Sequence, residues 1–580
     1  THTSSVLLIL CFLNSIAHWI HSRVLWQMNI FFRKKYMIIL LLSNAVLATE
    51  NNKNRLNDNV VSHADIDVRN EYNEEGNRVG KRFFSTNHHS VTSQEKISPE
   101  KICLPITGVF LQGNTLLSSQ DLNQIDHILG ECISENDINS LAKEVTRLYL
   151  SKGYLAARVN FIPLNNAGEL GLNVTEGIVE KIEGGGRRVN PYFIFPNFID
   201  KPLRLSELDQ AIDQANRLRS NKVNVDILPG SQAGKSIIRI NNVNNKPWSL
   251  STVIDNYGYK NSDEWQARVS LALDSPFGLS DAINFNANRT LENAKSRYKN
   301  DFTVSYSVPY GALTFSALAN YLEYRRYEKL KNGTVNFNGN SQQYNFRTDY
   351  MFHRTQKQIN SLSMQVEHKQ INNYVDEAKV GVYSYRFTNL ELGVNQFRIL
   401  PHGSVNVNAA IKRGVPWFGT HQKNKINAVQ FTTGKLMVNF NHNFSLLNSS
   451  YQFDHALVGQ YSKNYAPSPE WISLTERNAI RGFSRSSQSA DHGWYMKNTL
   501  SKHFFMGNIL FTPRMGVDAG RALKHGSQQG WQSNAGVSAG ISMRYHQALF
   551  DVEASRGWWL SDSNKQNEPV QVLGRIAYTF

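Results

Sequence analysis

The sequence predicts an all-β transmembrane barrel of about sixteen antiparallel strands, preceded by two small α+β modules. Three observations carry that prediction. At the C-terminal end Val572, Gly574, Ile576, Tyr578 and Phe580 alternate with Leu573, Arg575, Ala577 and Thr579, and the chain stops on an aromatic. Period-2 alternation sends one set of side chains to lipid and the other to a lumen, and only a closed barrel satisfies a strand backbone in hydrocarbon. A mean hydropathy of -0.42 beside 41% hydrophobic and 11% aromatic residues is a polar average over an amphipathic pattern, and no mature segment reaches a helical span. Residues 250 to 580, at about 21 residues per strand and connection, give about sixteen strands, an even number as bacterial barrels require.

The elements follow in chain order. Residues 1–27 read as upstream sequence or an extended leader, and a signal peptide occupies 28–48. In it Arg33, Lys34 and Lys35 form a positive segment, Met37 to Leu42 begin a short apolar one, and Val46 and Ala48 suit cleavage. Residues 49–102 are polar and weakly periodic, a linker in which Ile66 to Glu75 fit a short polar helix. Cys11 falls in the leader, so Cys103 and Cys132 are the mature pair, and an oxidising compartment lets them join. That bond would stabilise the first module by about 3 to 4 kcal/mol. With no third mature Cys and no His pair at ligand spacing, no metal site is expected.

The first module is assigned to 103–184. Ile106 to Leu111 read as a strand, Ser118 caps a short helix through Ile128, and Ser134 with Asp137 opens a second helix with Ile138, Leu141, Val145 and Leu148 on one face. Gly153 ends it, and alternating strands follow around Leu155 to Phe161 and Leu170 to Val174. The second module, 187–248, repeats the plan. Apolar Tyr192 to Phe198 open it, Ser206 begins a helix with Leu208, Ile212 and Ala215, and strands lie near Val223 to Leu228 and Lys235 to Asn241. Gly230, Gly234, Lys235 and Ser236 imitate a phosphate loop but are one residue short between the glycines, and no helix pattern follows; they read as a turn.

The barrel is assigned to 249–580. Trp265, Ala267, Val269, Leu271 and Leu273 suit lipid, while Gln266, Arg268, Ser270, Ala272 and Asp274 suit a wet lumen. The net charge of +15 raises the question of nucleic acid, but the cations are scattered along alternating strands rather than gathered in a patch, so no nucleic-acid partner is expected. Nothing in the chain assembles a catalytic triad, a carboxylate pair or a cofactor motif, so neither an enzyme nor a cofactor is expected.

The phrases "GYLAARV", "VTEGIVEKIEG" and "NRLRSNKVNVDILPG" make the two modules resemble POTRA domains, the polypeptide-binding repeats of outer-membrane transporters. Three barrel motifs extend the likeness. "DNYG" (Asp255, Asn256, Tyr257, Gly258) ends the first strand, "IRGFSRSSQSADHGWY" runs from Ile480 to Tyr495, and "GVDAGRA" runs from Gly516 to Ala522. In order and spacing the chain is similar to the two-partner secretion transporters (TpsB), or haemolysin secretion and activation proteins, over about residues 103–580. The resemblance implies that Arg481, Gly482 and Phe483 form the tip of a long loop folded into the lumen. Asp518, on the barrel wall with Gly520, would pair with Arg481; Tyr578 and Phe580 would be the signal read by the barrel-assembly machinery. It also implies a lumen-plugging helix in some relatives at the place of residues 49–102.

The function implied is capture of an unfolded exoprotein with an N-terminal secretion domain in the periplasm, and its passage through a barrel set in outer-membrane lipid. No nucleotide hydrolysis is expected. The alternative is an assembly factor that inserts other barrels, against which two modules rather than a longer array count. Cargo identity is open among haemolysin, adhesin and contact-dependent toxin.

Overall fold

A computed structural model describes residues 103–122, 133–243, 245–258, 264–291, 297–330, 333–420, 429–485, 487–528, 530–561 and 568–580. The expected leader, signal peptide and linker, with the expected helix at Ile66 to Glu75, lie outside the described residues, as do Ile128 and Cys132.

In the first module the helix Glu135–Ser151 starts where the sequence supplies a reciprocal cap. The Ser134 hydroxyl accepts from the Asp137 N–H at 3.3 Å, and the Asp137 carboxylate accepts from the Ser134 N–H at 2.9 Å. Leu141, Val145 and Leu148 pack from this helix onto Leu172 and Val174 of the sheet. The sheet order is Gly108–Gln112, Glu169–Thr175, Arg158–Ile162, with the first pair parallel and the second antiparallel. Cys103 is disulfide-bonded, and the Leu104 N–H donates to the Ile133 carbonyl at 2.8 Å, which ties this end of the module to the start of the long helix.

The second module corrects two expectations. Ile178–Gly184, assigned by sequence to the first module, pairs in parallel with Lys235–Asn242, which also pairs with Val223–Pro229. The boundary therefore lies near Glu176 and Gly177, not at residues 184–187. Gly177, at φ +73°, turns the chain out of one sheet into the other. Tyr192 to Phe198, expected to open this module, hold a short helix, Pro191–Ile194, instead. Asn190 caps it through the Tyr192 N–H at 3.0 Å, and Pro191 stands at the first helical position, where its missing N–H does no harm. The main helix, Leu205–Ala215, buries Leu208, Ala211 and Ala215 against Ile238 and Ile240. Gly230 donates its N–H to the Lys235 carbonyl at 2.8 Å, a turn between antiparallel strands.

This module is seated on the barrel. The Arg354 guanidinium meets Asp213 at 2.8 Å, Arg217 donates to the Ser280 carbonyl at 2.7 Å, and Gln214 donates to the Thr314 hydroxyl at 2.9 Å.

The barrel is a closed antiparallel ring of sixteen strands, from Trp248–Asp255 to Gln571–Thr579. Two short pieces, Ala378–Lys379 and Phe504–Met506, add none, because the long strands on either side of each pair directly. Val269, Phe302, Val304, Val572 and Ile576 are exposed on the outside, whereas Gln266, Leu573 and Arg575 are buried. Closure rests on a short ladder from Arg575–Asp255 to Thr579–Ser251. Asn256 prolongs it: its side chain accepts from the Gly574 N–H at 2.6 Å and donates to the Val572 carbonyl at 3.1 Å.

Lys152 at 2.7 Å holds the Asp121 carboxyl down at about 2 from its ordinary 3.8, helped by hydrogen bonds from Ser118. A lowered carboxylate stabilises the fold above its ordinary value and loses that contribution as pH falls through the lowered one. Amide exchange in Glu135–Ser151, corrected for intrinsic rate, should therefore speed up between pH 4 and about 2. Asp121→Asn should abolish this acid dependence.

Candidate functional site: the lumen loop and its seat

Residues 463–491 connect Ser449–Ser462 to His492–Lys502 and fold back against inward-facing side chains of the wall. The tip turns at Gly482, whose φ of +93° suits glycine, and a Cβ there would overlap the backbone of Arg556 and Gly557. Arg481 is buried, and its guanidinium forks onto Asp518: Nε to Oδ2 at 2.7 Å and Nη2 to Oδ1 at 2.7 Å. The Arg481 and Asn498 backbone N–H groups also donate to that carboxylate, at 3.0 and 3.2 Å. Nη2 donates further to the Asn498 carbonyl at 2.8 Å. A buried ion pair needs such a complete set of hydrogen bonds to offset desolvation.

The wall is hollowed to receive the loop. Asp518, Gly536 and Gly557 stand in register across three adjacent strands. A Cβ on Gly516 would overlap the Arg481 guanidinium, one on Gly536 the Arg481 carbonyl oxygen, and one on Gly557 would come within 2.6 Å of the Phe483 ring. Gly520 has the same relation to Ile480, at 3.0 Å. Phe483 lies edge-on to Trp559 with ring centroids 5.0 Å apart, in a buried cluster with Ile472, Leu474, Ile480, Ala490 and Ala522. Past the tip, Glu568 accepts from the Ser484 and Arg485 N–H groups, each at 3.0 Å.

The first-strand motif meets the loop by another route. The Tyr257 ring is sandwiched by cations, with the Arg477 guanidinium 3.3 Å and the Arg575 guanidinium 4.2 Å from its centroid. Its hydroxyl donates to Asp551 at 3.2 Å. Asp551 also pairs with Arg514 at 2.7 Å, and Asp255 with Arg575 at 3.3 Å. Loop, seam and wall thus share one charged network, into which Glu553 is joined by Arg514 at 3.0 Å.

The structure brings together Arg481, Gly482, Phe483, Asp518 and Gly520, and connects Asp255, Asn256 and Tyr257 to them through the seam. Tyr578 and Phe580 lie apart from the loop, with their own rings 4.6 Å apart. Sequence reasoning missed Gly516, Gly536, Gly557, Arg477, Arg514 and Glu568. Glycines at inward positions of alternating strands were the available signal. It also missed Asp491, His492 and His525, whose ligating atoms converge although His525 lies 33 residues beyond His492. Ser462 N–H donates to His492 Nδ1 at 3.2 Å, which leaves the ring proton on Nε2, 3.3 Å from His525 Nδ1. The cluster is a hydrogen-bond chain at the base of the loop.

Comparison with known proteins covers both modules and most of the barrel. Residues 234–543 match the family of haemolysin secretion/activation proteins ShlB/FhaC/HecB; 104–177 match a ShlB-type POTRA domain, and 176–229 a further POTRA domain. The hemolysin transporter protein ShlB of Serratia marcescens is 49% identical over 82% of this chain and 86% of its own length. The hemolysin transporter protein HpmB of Proteus mirabilis is 44% identical over 83% of this chain and 88% of its own. Among solved structures, CdiB from Escherichia coli superposes with a TM-score of 0.81 at 21% identity, over 89% of this chain and 98% of its own, a likeness of fold.

Replacing Arg481 or Asp518 by Ala leaves the other charge buried, at about 3 to 5 kcal/mol. The loop should then become open to protease added outside, while heat-modifiable migration of the barrel stays unchanged. The double Ala variant should lose less than the sum of the two single losses. Gly516→Ala should reproduce the Arg481→Ala phenotype, since its methyl takes the guanidinium's place.

Proposed function

The chain belongs to the haemolysin secretion/activation family, an outer-membrane barrel with periplasmic POTRA modules, and on that premise we propose that it secretes a haemolysin-class exoprotein. The observation that carries the reading is a loop seated by Arg481 on the inner wall of a closed barrel whose chain is preceded by two POTRA modules. Cargo of this class is suggested by the two hemolysin transporters at 49% and 44% identity.

Capture begins at a sheet edge. Arg158–Ile162 is an outer strand of its sheet with Phe161 exposed, and Val223–Pro229 is an outer strand with Ile227 exposed. Such edges offer unpaired N–H and C=O groups to the extended N-terminal secretion domain of the cargo. The cargo then passes as an extended chain through the lumen, along a path that the loop gates. Folding outside makes each step irreversible, since a folded segment no longer slides back. In this reading Arg481 and Asp518 set the loop position, Gly482 and Phe483 lock its tip, and Asp255 to Gly258 close the seam. Tyr578 and Phe580 serve recognition by the barrel-assembly machinery, and the apolar outer face meets lipid.

Deleting residues 103 to 246 stops short of the first barrel strand at Trp248 and separates the two activities. The truncated barrel should still reach the outer membrane and show heat-modifiable migration, with partner protein absent from the medium. Secretion at the full-length level would refute capture by the modules.

A further inference from the structure

The lumen loop is held at two places, and the second lies across the lumen from the first. Arg481 and Phe483 sit on the thirteenth to fifteenth barrel strands, Ile509–Leu523, Gln532–Tyr545 and Ala548–Trp559. Glu470, eleven residues upstream in the same loop, reaches the seventh and ninth, Gln358–Val375 and Gly403–Val415. There one carboxylate oxygen meets Lys369 Nζ at 2.9 Å and the other meets Lys412 Nζ at 2.9 Å. Glu470, Lys369 and Lys412 are all essentially inaccessible to solvent.

The wall beneath Glu470 carries its own carboxylates. Glu367 lies 2.7 Å from Lys369 and 3.1 Å from Lys412, and Glu391, the register partner of Lys412, lies 3.7 Å from it. Gln343 donates to Glu367 at 2.7 Å. When Glu470 leaves, Lys369 still faces Glu367, and Lys412 still faces Glu367 and Glu391. At the other anchor the balance is different. Arg481 gives the fully buried Asp518 three hydrogen bonds, two from its guanidinium and one from its backbone N–H, while Lys497, the register partner of Asp518, donates its Nζ to the Arg477 carbonyl instead, so departure of Arg481 removes those bonds together.

We propose that Glu470 is a second positioning residue of the lumen loop, and that this half of the loop releases from the wall before the Arg481 half does. The passage opens first along Gln358–Val375, Tyr385–Leu400 and Gly403–Val415, while Arg481 keeps the loop tethered to the opposite wall. The segment that moves with Glu470 is otherwise held by neutral contacts and one ring contact: Ala466 packs with Ile371, Phe387, Val429 and Phe431, Gln460 donates to the Glu470 carbonyl at 2.8 Å, the Ser468 and Tyr385 hydroxyls meet at 3.1 Å, and Lys524 lies 5.4 Å from the centre of the Trp471 ring. The inference deepens the secretion reading, and its test uses no cargo, so either can fail without the other.

Ala466 and Ala479 are both buried, one near each anchor, and each tolerates a change to Cys with little added bulk. In the full chain on intact cells, Ala466→Cys should react with a membrane-impermeant maleimide about tenfold faster than Ala479→Cys, the ratio of local opening at the two sites. Adding Glu470→Gln should speed labelling at 466 and leave 479 unchanged, and Glu470→Asp should return it toward the parental rate. In planar bilayers the Glu470→Gln protein should show more frequent high-conductance events, with unchanged heat-modifiable migration. Labelling at 479 as fast as at 466 overturns the order of release. Labelling at 466 that ignores Glu470→Gln overturns the anchor. If that variant fails to assemble, the comparison of the two Cys variants alone decides the order.

Discussion

A guanidinium taken out of water has to meet a carboxylate and fill its remaining N–H groups, and for Arg481 the wall offers that at Asp518. The demand runs outward from there. The tip must turn sharply, which Gly482 allows at φ +93°. The wall must recede, which Gly516, Gly536 and Gly557 allow by carrying no side chain. Phe483 then reaches Trp559 and seals the contact from water, and this keeps the ion pair in surroundings where its electrostatics count. Specificity of position, more than net stability, is what such a buried pair gives the loop.

The weakest place in a barrel is where its first and last strands meet, since nothing in the chain joins them. Here that seam has five register pairs, fewer than any other in the ring, and it is the seam that the loop's Arg477 leans on through Tyr257. Arg575 on the last strand contacts the same ring and Asp255 on the first. A shift of the loop therefore changes the charges around the closure, and strain at the closure is felt by the loop. The second POTRA module bears on the periplasmic turns through Gln214, Arg217 and Asp213, and its last strand leads directly into the first barrel strand at Trp248.

The strands were legible because period-2 alternation is a local property, and the lipid face at Val269 or Ile576 follows from it directly. The helix at Glu135 was legible from Ser134 and Asp137 for the same reason. Pairings between distant segments were not. Ile178–Gly184 reads as a continuation of the strand before it, and only its parallel partner at Lys235–Asn242 assigns it to the second sheet. Tyr192 to Phe198 are apolar without a period, and the Asn190–Pro191 start signal outweighs that apolarity. Arg481 with Asp518 came from resemblance to a family, since nothing in a separation of 37 residues suggests contact. Glu470 was invisible because its partners Lys369 and Lys412 are 101 and 58 residues away.

The hollows left by the wall glycines have a consequence for descent and recombination. They are a cast of one particular loop, with a glycine wherever that loop's atoms press and a carboxylate where its cation lands. A loop of another shape grafted into this barrel would leave those hollows as empty voids and would strand Asp518, while this loop moved to a barrel with larger wall residues would find no room. Residues 463–491 and the strands from Ile509 to Trp559 are thus heritable as one block. The periplasmic sheet edges lie outside that block: Phe161 and Ile227 face water there, and a substitution at either disturbs no matched surface.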